Sequence, residues 1–370
     1  MSVRDLADYP WDAVVPFRDR AVRHPGGLVD LSVGSPVDPT PALIRAALTE
    51  ATDAHAYPQT IGTPSLREAI VDWYARRRGV PDLTAANVLP TIGSKELVAL
   101  LPTLLGLGEG DIVVHPTVAY PTYEVGARVV GATALRADDP ADWPEGAKLI
   151  WINTPGNPDG RTWNVDELAM AVRRAREIGA ILASDECYAE LGWDGPWAQE
   201  PIPSVLDPRV TGGSRANLLS VYSLSKQSNL AGYRAAFVAG CSRVIADLLT
   251  ARKHLGLMPP APVQHAMAVA LGDDAHVAAQ KTLYRERRDL LLPAITAAGF
   301  RIDGSEAGLY LWATEGRDAW ESMARLADLG ILAGPGPFYG DDSAEHIRLA
   351  LTAPTERVAE AARRLHAAEL

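Results

Sequence analysis

Cysteine is nearly absent: Cys187 and Cys241 are the only two in 370 residues. Two thiols cannot form a disulfide framework, and the sparse complement fits a reducing cytosol, so a cytoplasmic location is expected. No stretch approaches the ~20 apolar residues of a membrane helix. Met1–Pro10 contains acids and no apolar run, unlike a secretory signal. Eight histidines are scattered, with no His-Glu-x-x-His and no cysteine pair at ligand spacing; no metal is expected. Positive charge is in the minority, with 35 Lys and Arg against 46 Asp and Glu and a net charge of −11. A nucleic-acid surface would therefore need clustered cations. The densest runs, Arg76-Arg77-Arg78 and Arg285 with Arg287-Arg288, lie on helical stretches and read as solvated helix faces.

What is present is an ordinary globular mix, 47% hydrophobic and 22% charged, long enough for two lobes. Residues 1–45 are proline-rich and read as a short helix, a strand and an irregular arm. Pro64 to Arg78 carries Leu66, Ala69, Ile70, Trp73 and Tyr74 at helical spacing, with Pro64 as first residue and Gly79 as stop. Strand-like runs then alternate with helices. Extended segments are expected at 87–92, 112–115, 148–153, 180–184, 218–223 and 235–239. Helices are expected at 95–105, where Pro102 should bend or shorten the helix, and at 165–178, capped by Asn164 and closed by Gly179. This alternation predicts a mostly parallel sheet covered on both faces, with ligands beyond the carboxyl ends of its strands. A helix over 242–254, a proline-rich turn at 258–262 and one long helix to about residue 292 follow. Residues 299–370 read as a smaller α+β lobe.

The most informative segment is Tyr222-Ser223-Leu224-Ser225-Lys226-Gln227-Ser228-Asn229-Leu230-Ala231-Gly232-Tyr233-Arg234. Two hydroxyls precede a lysine, and an arginine follows eight residues later. A lysine that bonds to an aldehyde needs a lowered pKa and a fixed position, and a phosphate needs hydroxyl donors and a guanidinium. On this segment alone, a strand end with a solvated lysine is an equal reading. Three further stretches bear on it. Thr91-Ile92-Gly93-Ser94-Lys95-Glu96 is a strand followed by a helix start, a place for phosphate. Asn153-Thr154-Pro155-Gly156-Asn157-Pro158-Asp159-Gly160 is a rigid turn able to present the Asn157 amide, or simply a tight turn. Ser184-Asp185-Glu186-Cys187-Tyr188 brings a carboxylate out of an apolar strand, which is costly unless paired; a helix cap is the plainer alternative. Gly106-Leu107-Gly108-Glu109-Gly110 leaves a helix and enters a strand, the wrong order for a dinucleotide turn.

In order and spacing these segments resemble the class I/II aminotransferases, pyridoxal-phosphate enzymes of fold type I. The resemblance covers nearly the whole chain. It implies an α/β fold with a mostly parallel seven-stranded sheet in a large domain (46–260). It also implies an interdomain helix and a C-terminal small α+β domain within 261–370, with the N-terminal arm, 1–45, as part of that small domain. The implied cofactor is pyridoxal 5′-phosphate. Lys226 matches the lysine that bonds to it, Asp185 the partner of its ring nitrogen, and Asn157 and Tyr188 the donors to its O3′. Ser94, Lys95, Ser223 and Arg234 match the phosphate cup, with Ser225 close enough to assist, and Tyr120 matches the aromatic stacked on the ring. Tyr57 matches a tyrosine reaching the neighbouring subunit's phosphate, which implies a homodimer with shared sites. Arg348 matches the clamp on the substrate α-carboxylate, and Gly34 the glycine closing over the substrate. One departure is Asp159, where the family turn has threonine; a local change in turn hydrogen bonding is expected.

The resemblance extends to the actinobacterial succinyldiaminopimelate aminotransferases. It rests on Pro10-Trp11-Asp12, Leu31 to Pro39, Ala119 to Gly126, the Asp185 and Lys226 segments, Ala307 to Thr314 and Phe338-Tyr339-Gly340. It implies amino transfer between L-glutamate and N-succinyl-2-amino-6-oxopimelate, in lysine biosynthesis. Lys95, Arg252 and the Met258–Pro262 turn are the places to look for distal-acid recognition. The alternatives are another class I/II aminotransferase (aspartate, acetylornithine or aromatic type) or a pyridoxal-phosphate C–S lyase. A fold-sharing DNA-binding regulator is opposed by the acidic charge and by the length.

Overall fold

The computed structural model describes residues 10–368; most of Met1–Pro10 therefore lies outside the described residues. Thirteen strands are described, in chain order. They are β1 (Val29–Asp30), β2 (Val88–Ile92), β3 (Ile112–His115), β4 (Thr133–Arg136), β5 (Ala147–Asn153), β6 (Ile181–Asp185), β7 (Leu218–Ser223), β8 (Ala235–Gly240), β9 (Arg301–Ile302), β10 (Tyr310–Thr314), β11 (Ile331–Leu332), β12 (Gly334–Pro335) and β13 (His346–Ala350). Seven form one sheet in the order β2-β8-β7-β6-β5-β3-β4. β8 runs antiparallel to both neighbours, and every other pairing is parallel. The expected mostly parallel seven-stranded sheet is thus present.

Its strands are buried on both faces, so alternate residues enter different apolar layers. Ile150, Ile152, Leu182, Tyr222 and Phe237 face the layer containing Trp73, Tyr74 and Leu168 from helices Pro64–Arg77 and Val165–Glu177. Leu149, Trp151, Ala183, Val221 and Val238 face Leu97, Leu101, Ile245 and Leu248 from helices Ser94–Leu104 and Ser242–Leu255. Each large side chain so buried contributes about 1.5–3 kcal/mol, which makes this sheet a stiff support for its strand ends. A four-stranded antiparallel sheet, β12-β13-β10-β9, and the parallel pair β1-β11 supply a third apolar layer.

Helix boundaries follow local chemistry. Asn164 caps Val165–Glu177 through a reciprocal box with Glu167: its side chain accepts from Asp166 N and Glu167 N, and Glu167 accepts from Asn164 N. The helix holding Pro102 ends at Leu104, two residues later. The single long helix expected after the proline turn is instead two, Ala261–Leu271 and Ala275–Ala297. The break falls at Gly272-Asp273-Asp274, where the Asp273 carboxylate accepts the His276 N–H at 3.0 Å. Helix Thr122–Val129 and strand β4 were not expected; β4 is a half-exposed edge with no apolar run to mark it.

The basic runs also differ from expectation. Arg78, Arg287 and Arg288 are buried, not solvated. Each is neutralised: Arg78 by Glu186, Arg287 by Asp38, and Arg288 by Asp194. Burial is tolerated only because carboxylates from distant segments meet them.

Candidate active site

Asn153, Asp185 and Ser223 end the neighbouring strands β5, β6 and β7. Asp185 is 7% exposed. Its carboxylate accepts from Tyr123 Oη at 3.0 Å and from Cys187 N at 3.2 Å. Burial pushes it above the usual carboxylate range, against the pull of these donors. Among the described residues no cation pairs with it. A turn follows it and no helix, so it is not a helix cap. The Asn157 turn is held by Asn153, whose Oδ1 accepts Asn157 N at 2.8 Å and whose Nδ2 donates to Asp185 O at 2.9 Å. In that turn the Asp159 carboxylate accepts the Arg161 N–H at 3.3 Å.

Lys226 lies in the single helical turn Leu224–Gln227 after β7. Its Nζ donates to Gly34 O. Desolvation lowers its amine, and Arg348 and Arg234 lower it further, while Tyr310 and Cys187 oppose them. The amine is thereby kept closer to its neutral, nucleophilic form.

The start of β8 fixes the next group. Ala235 pairs with Ile92 of β2, and Ala236 with Ser223 of β7. The Gly93-Ser94 helix start, the Ser223–Ser225 segment and Arg234 therefore meet at one end of the sheet. Ser223 Oγ donates to Ser225 Oγ at 2.8 Å and accepts Ser225 N at 3.2 Å. Gly93 has φ +76°, and a Cβ there would overlap the Arg234 guanidinium. Free amides at the start of helix Ser94–Leu104 and this guanidinium make an anion site. Burial raises the Cys187 thiol well above the usual thiol range, and the neighbouring Asp185 carboxylate raises it further.

A second arginine is more enclosed. Arg348 in β13 is 4% exposed. Nη1 donates to Asn157 Oδ1 and Nη2 to Ser32 O, each at 2.8 Å, while Nε has no partner. Its Cζ lies 3.9 Å from the Tyr310 ring centre and 5.0 Å from that of Tyr339. Tyr188 places its hydroxyl 3.2 Å from that of Tyr310. Lys95 Nζ is 5.9 Å from the Tyr120 ring centre. Tyr120 packs edge-on to Tyr123, which stacks on Trp151.

Lys226, Asp185, Asn157, Tyr188, Tyr120, Ser94, Lys95, Ser223, Ser225, Arg234, Gly34 and Arg348 thus fall around the carboxyl ends of the sheet. Tyr57 does not: it is 98% exposed on an exposed segment. Arg252 is removed as a distal-acid candidate because Glu96 binds both its terminal nitrogens, at 2.8 and 3.0 Å. The 258–262 turn instead anchors Gln264 through Pro259 O. Sequence reading missed Tyr123 and Tyr310. Tyr123 stands three residues after Tyr120, but the partner that gives it a role, Asp185, is 62 positions away.

The residues fit pyridoxal phosphate. A buried carboxylate without a cation suits a ring nitrogen that must stay protonated. The Gly93–Arg234 cradle suits a phosphate, and a desolvated lysine suits an aldehyde.

Comparison with known proteins agrees. The family model "Aminotransferase class I and II" matches residues 27–365. The 4-dedimethylamino-4-oxo-anhydrotetracycline transaminase OxyQ of Streptomyces rimosus is 50% identical over 364 residues, 98% of this chain and 100% of that protein. "Probable aminotransferase Rv1178" of Mycobacterium tuberculosis is 54% identical over 361 residues, 97% of this chain and 85% of that protein. A solved "probable N-succinyldiaminopimelate aminotransferase" from Thermus thermophilus superposes with TM-score 0.86 and 29% identity, covering 97% of this chain and 100% of that one. Strand ends, buried lysine and matched family together place this chain among the class I and II aminotransferases, which work with pyridoxal phosphate.

Proposed function

We propose that the enzyme is the N-succinyl-LL-2,6-diaminopimelate:2-oxoglutarate aminotransferase of lysine biosynthesis, acting as a cytoplasmic homodimer. The observation that carries a two-acid substrate is a second cation in the site besides Arg348, Lys95 beside the Tyr120 ring. Arg348 is fixed between Tyr310 and Tyr339, and Lys95 has no carboxylate partner among the described residues. Arg348 takes the α-carboxylate by its planar fork, and Lys95 takes the distal acid. The succinyl group itself is supported by likeness to the Thermus thermophilus protein, not by a contact.

Bound pyridoxal phosphate supplies an aldehyde for the amino group and a ring that withdraws electrons from the substrate Cα. Lys226 Nζ would be the base that moves the substrate Cα proton. Asp185 would pair with the ring nitrogen and keep it protonated. Asn157 and Tyr188 would donate to O3′, and Tyr120 would cover the ring. Gly93–Lys95 amides, Ser223, Ser225 and Arg234 would hold the phosphate, with Tyr57 reaching it from the second subunit. Gly34 closes over the substrate. Residues 1–45 with the C-terminal part of 261–370 form the smaller domain, joined through an interdomain helix to a cofactor domain of 46–260; the apolar layer shared by Val29, Leu31, Leu311 and Leu349 supports the smaller domain, while helix Ala261–Leu271 packs into the layer of the large sheet.

A second reading is favoured by the 50% identity to OxyQ over nearly the full length: amination of a ring ketone. A steady-state screen separates the two. Succinylated aminooxopimelate is compared as acceptor with oxaloacetate, acetylornithine semialdehyde and a 4-oxo-anhydrotetracycline, with glutamate as donor. Ammonia and pyruvate release are measured in parallel to detect C–S lyase activity. Preference for a competitor, or elimination in place of transfer, overturns the proposal.

A further inference from the structure

Tyr310 lies in β10, where all five residues are buried, and is itself 4% exposed. Four groups face it. The Tyr188 hydroxyl is at 3.2 Å, the Arg348 guanidinium lies over the ring, and the Lys226 amine and Cys187 thiol are near enough to perturb it. Gly34 packs against the phenol oxygen so closely that a Cβ would overlap it. The same Gly34 accepts the Lys226 hydrogen bond. The phenol thus stands among the amine, the arginine and Tyr188.

A hydroxyl has one proton and two lone pairs, so only one member of the Tyr188–Tyr310 pair can donate in their shared bond. Burial raises both phenols. Both phenols feel Arg348, but it is the Tyr310 ring that carries its guanidinium, 3.9 Å from the ring centre. A cation over the ring favours Tyr310 as the donor, and a Tyr188 proton committed to O3′ leaves the Tyr188 oxygen only the acceptor's part in the shared bond. With Tyr310 donating, the Tyr188 proton is free to point out of the pair.

We propose that Tyr310 is a positioning residue whose hydroxyl donates to Tyr188 and so aims the Tyr188 proton at the cofactor's O3′. The inference rests on the assignment of Tyr188 made above. Phenylalanine at this position keeps the ring beneath Arg348 and loses the hydroxyl, both the donor to Tyr188 and a group that favours the charged Lys226 amine.

The test is an absorbance titration of the cofactor-loaded enzyme, with cofactor affinity measured separately. Donation to O3′ stabilises its anion and weakens proton binding at the neighbouring Lys226 nitrogen. Tyr310→Phe is therefore expected to raise the midpoint of the pH-dependent band by about half a pH unit and to weaken cofactor binding about twofold. Tyr188→Phe is expected to raise it further. Adding Tyr310→Phe to Tyr188→Phe is expected to give no further rise, because the relay is already cut and the remaining direct influence of Tyr310 on Lys226 acts the other way. Replacing Tyr310 by 3-fluorotyrosine, nearly isosteric and more acidic, moves the midpoint downward and guards against a misfolded variant. An unmoved midpoint in Tyr310→Phe beside a moved one in Tyr188→Phe overturns the inference alone, as does additivity in the double variant. An unmoved midpoint in Tyr188→Phe overturns the Tyr188 assignment and the inference together.

Discussion

Arg78→Met tests how the strand end carrying Asp185 is held. The side chain of Arg78 is 1% exposed and that of Glu186 is 0%. Arg78 Nη2 donates to Glu186 Oε2 at 3.0 Å, and Nη1 to Ile202 O at 2.7 Å. The other Glu186 oxygen accepts from Ser204 Oγ at 3.1 Å and Val205 N at 2.8 Å. Without Arg78 this buried carboxylate keeps two neutral donors and no cation. Breaking a buried pair by removing one partner costs about 3–5 kcal/mol. At about 2.1 cal/mol/K per residue the unfolding entropy of the 370-residue chain is about 0.8 kcal/mol/K, so melting should fall by about 4–6 °C. Thermal melts of the cofactor-free enzyme, followed by circular dichroism, read this directly. Glu186 adjoins Asp185, so cofactor affinity should fall as well. Arg78→Met combined with Glu186→Met should recover part of the loss by removing the stranded charge, though Ser204 and Val205 then lose their acceptor. A melting point within about one degree of the parent refutes the reasoning; so does a double variant less stable than the sum of its singles.

Other perturbations probe the site itself. The Lys226 amine sits below its ordinary value of 10.5 because of desolvation. The fold therefore disfavours its charged form, a cost fully present below the folded pKa and relieved as pH rises toward the unfolded value. Lys226→Met should raise the melting point of the cofactor-free enzyme at pH 7, by a margin that shrinks toward pH 10.5; a margin independent of pH counts against it. The same variant should lose on the order of 10³-fold or more in turnover, and near-parental turnover would remove Lys226 from the mechanism. Arg348→Lys keeps the charge but loses the fork. It should cost about 10- to 150-fold in kcat/KM for glutamate, the worth of one charge-assisted hydrogen bond. Lys95→Met should raise KM about tenfold or more for dicarboxylic acceptors and leave monocarboxylic ones unchanged; equal loss on both would deny Lys95 a distal-acid role.

The parts of this site legible in the sequence are those whose chemistry is local. Asp185 could be singled out because a carboxylate ending an apolar run is costly without a partner, and Ser223, Ser225 and Arg234 because they flank one lysine. The sheet was legible for the same reason, since each central strand is a short apolar run bounded by turn residues. What escaped was set by tertiary pairing. Arg78, Arg287 and Arg288 read as solvated because their carboxylate partners lie far off in sequence: Glu186 is 108 positions from Arg78, and Asp38 is 249 from Arg287. Tyr310 escaped more completely. Its strand is buried on both faces, so the two-residue alternation that would single out one side chain disappears. Its hydroxyl partner, Tyr188, is 122 positions away. The same isolation gives Tyr310 its charged surroundings, because the two cations near it arrive from β13 and from the turn after β7. A phenol on β10 becomes a directed donor only once three separate segments have packed around it, and no window of sequence contains them.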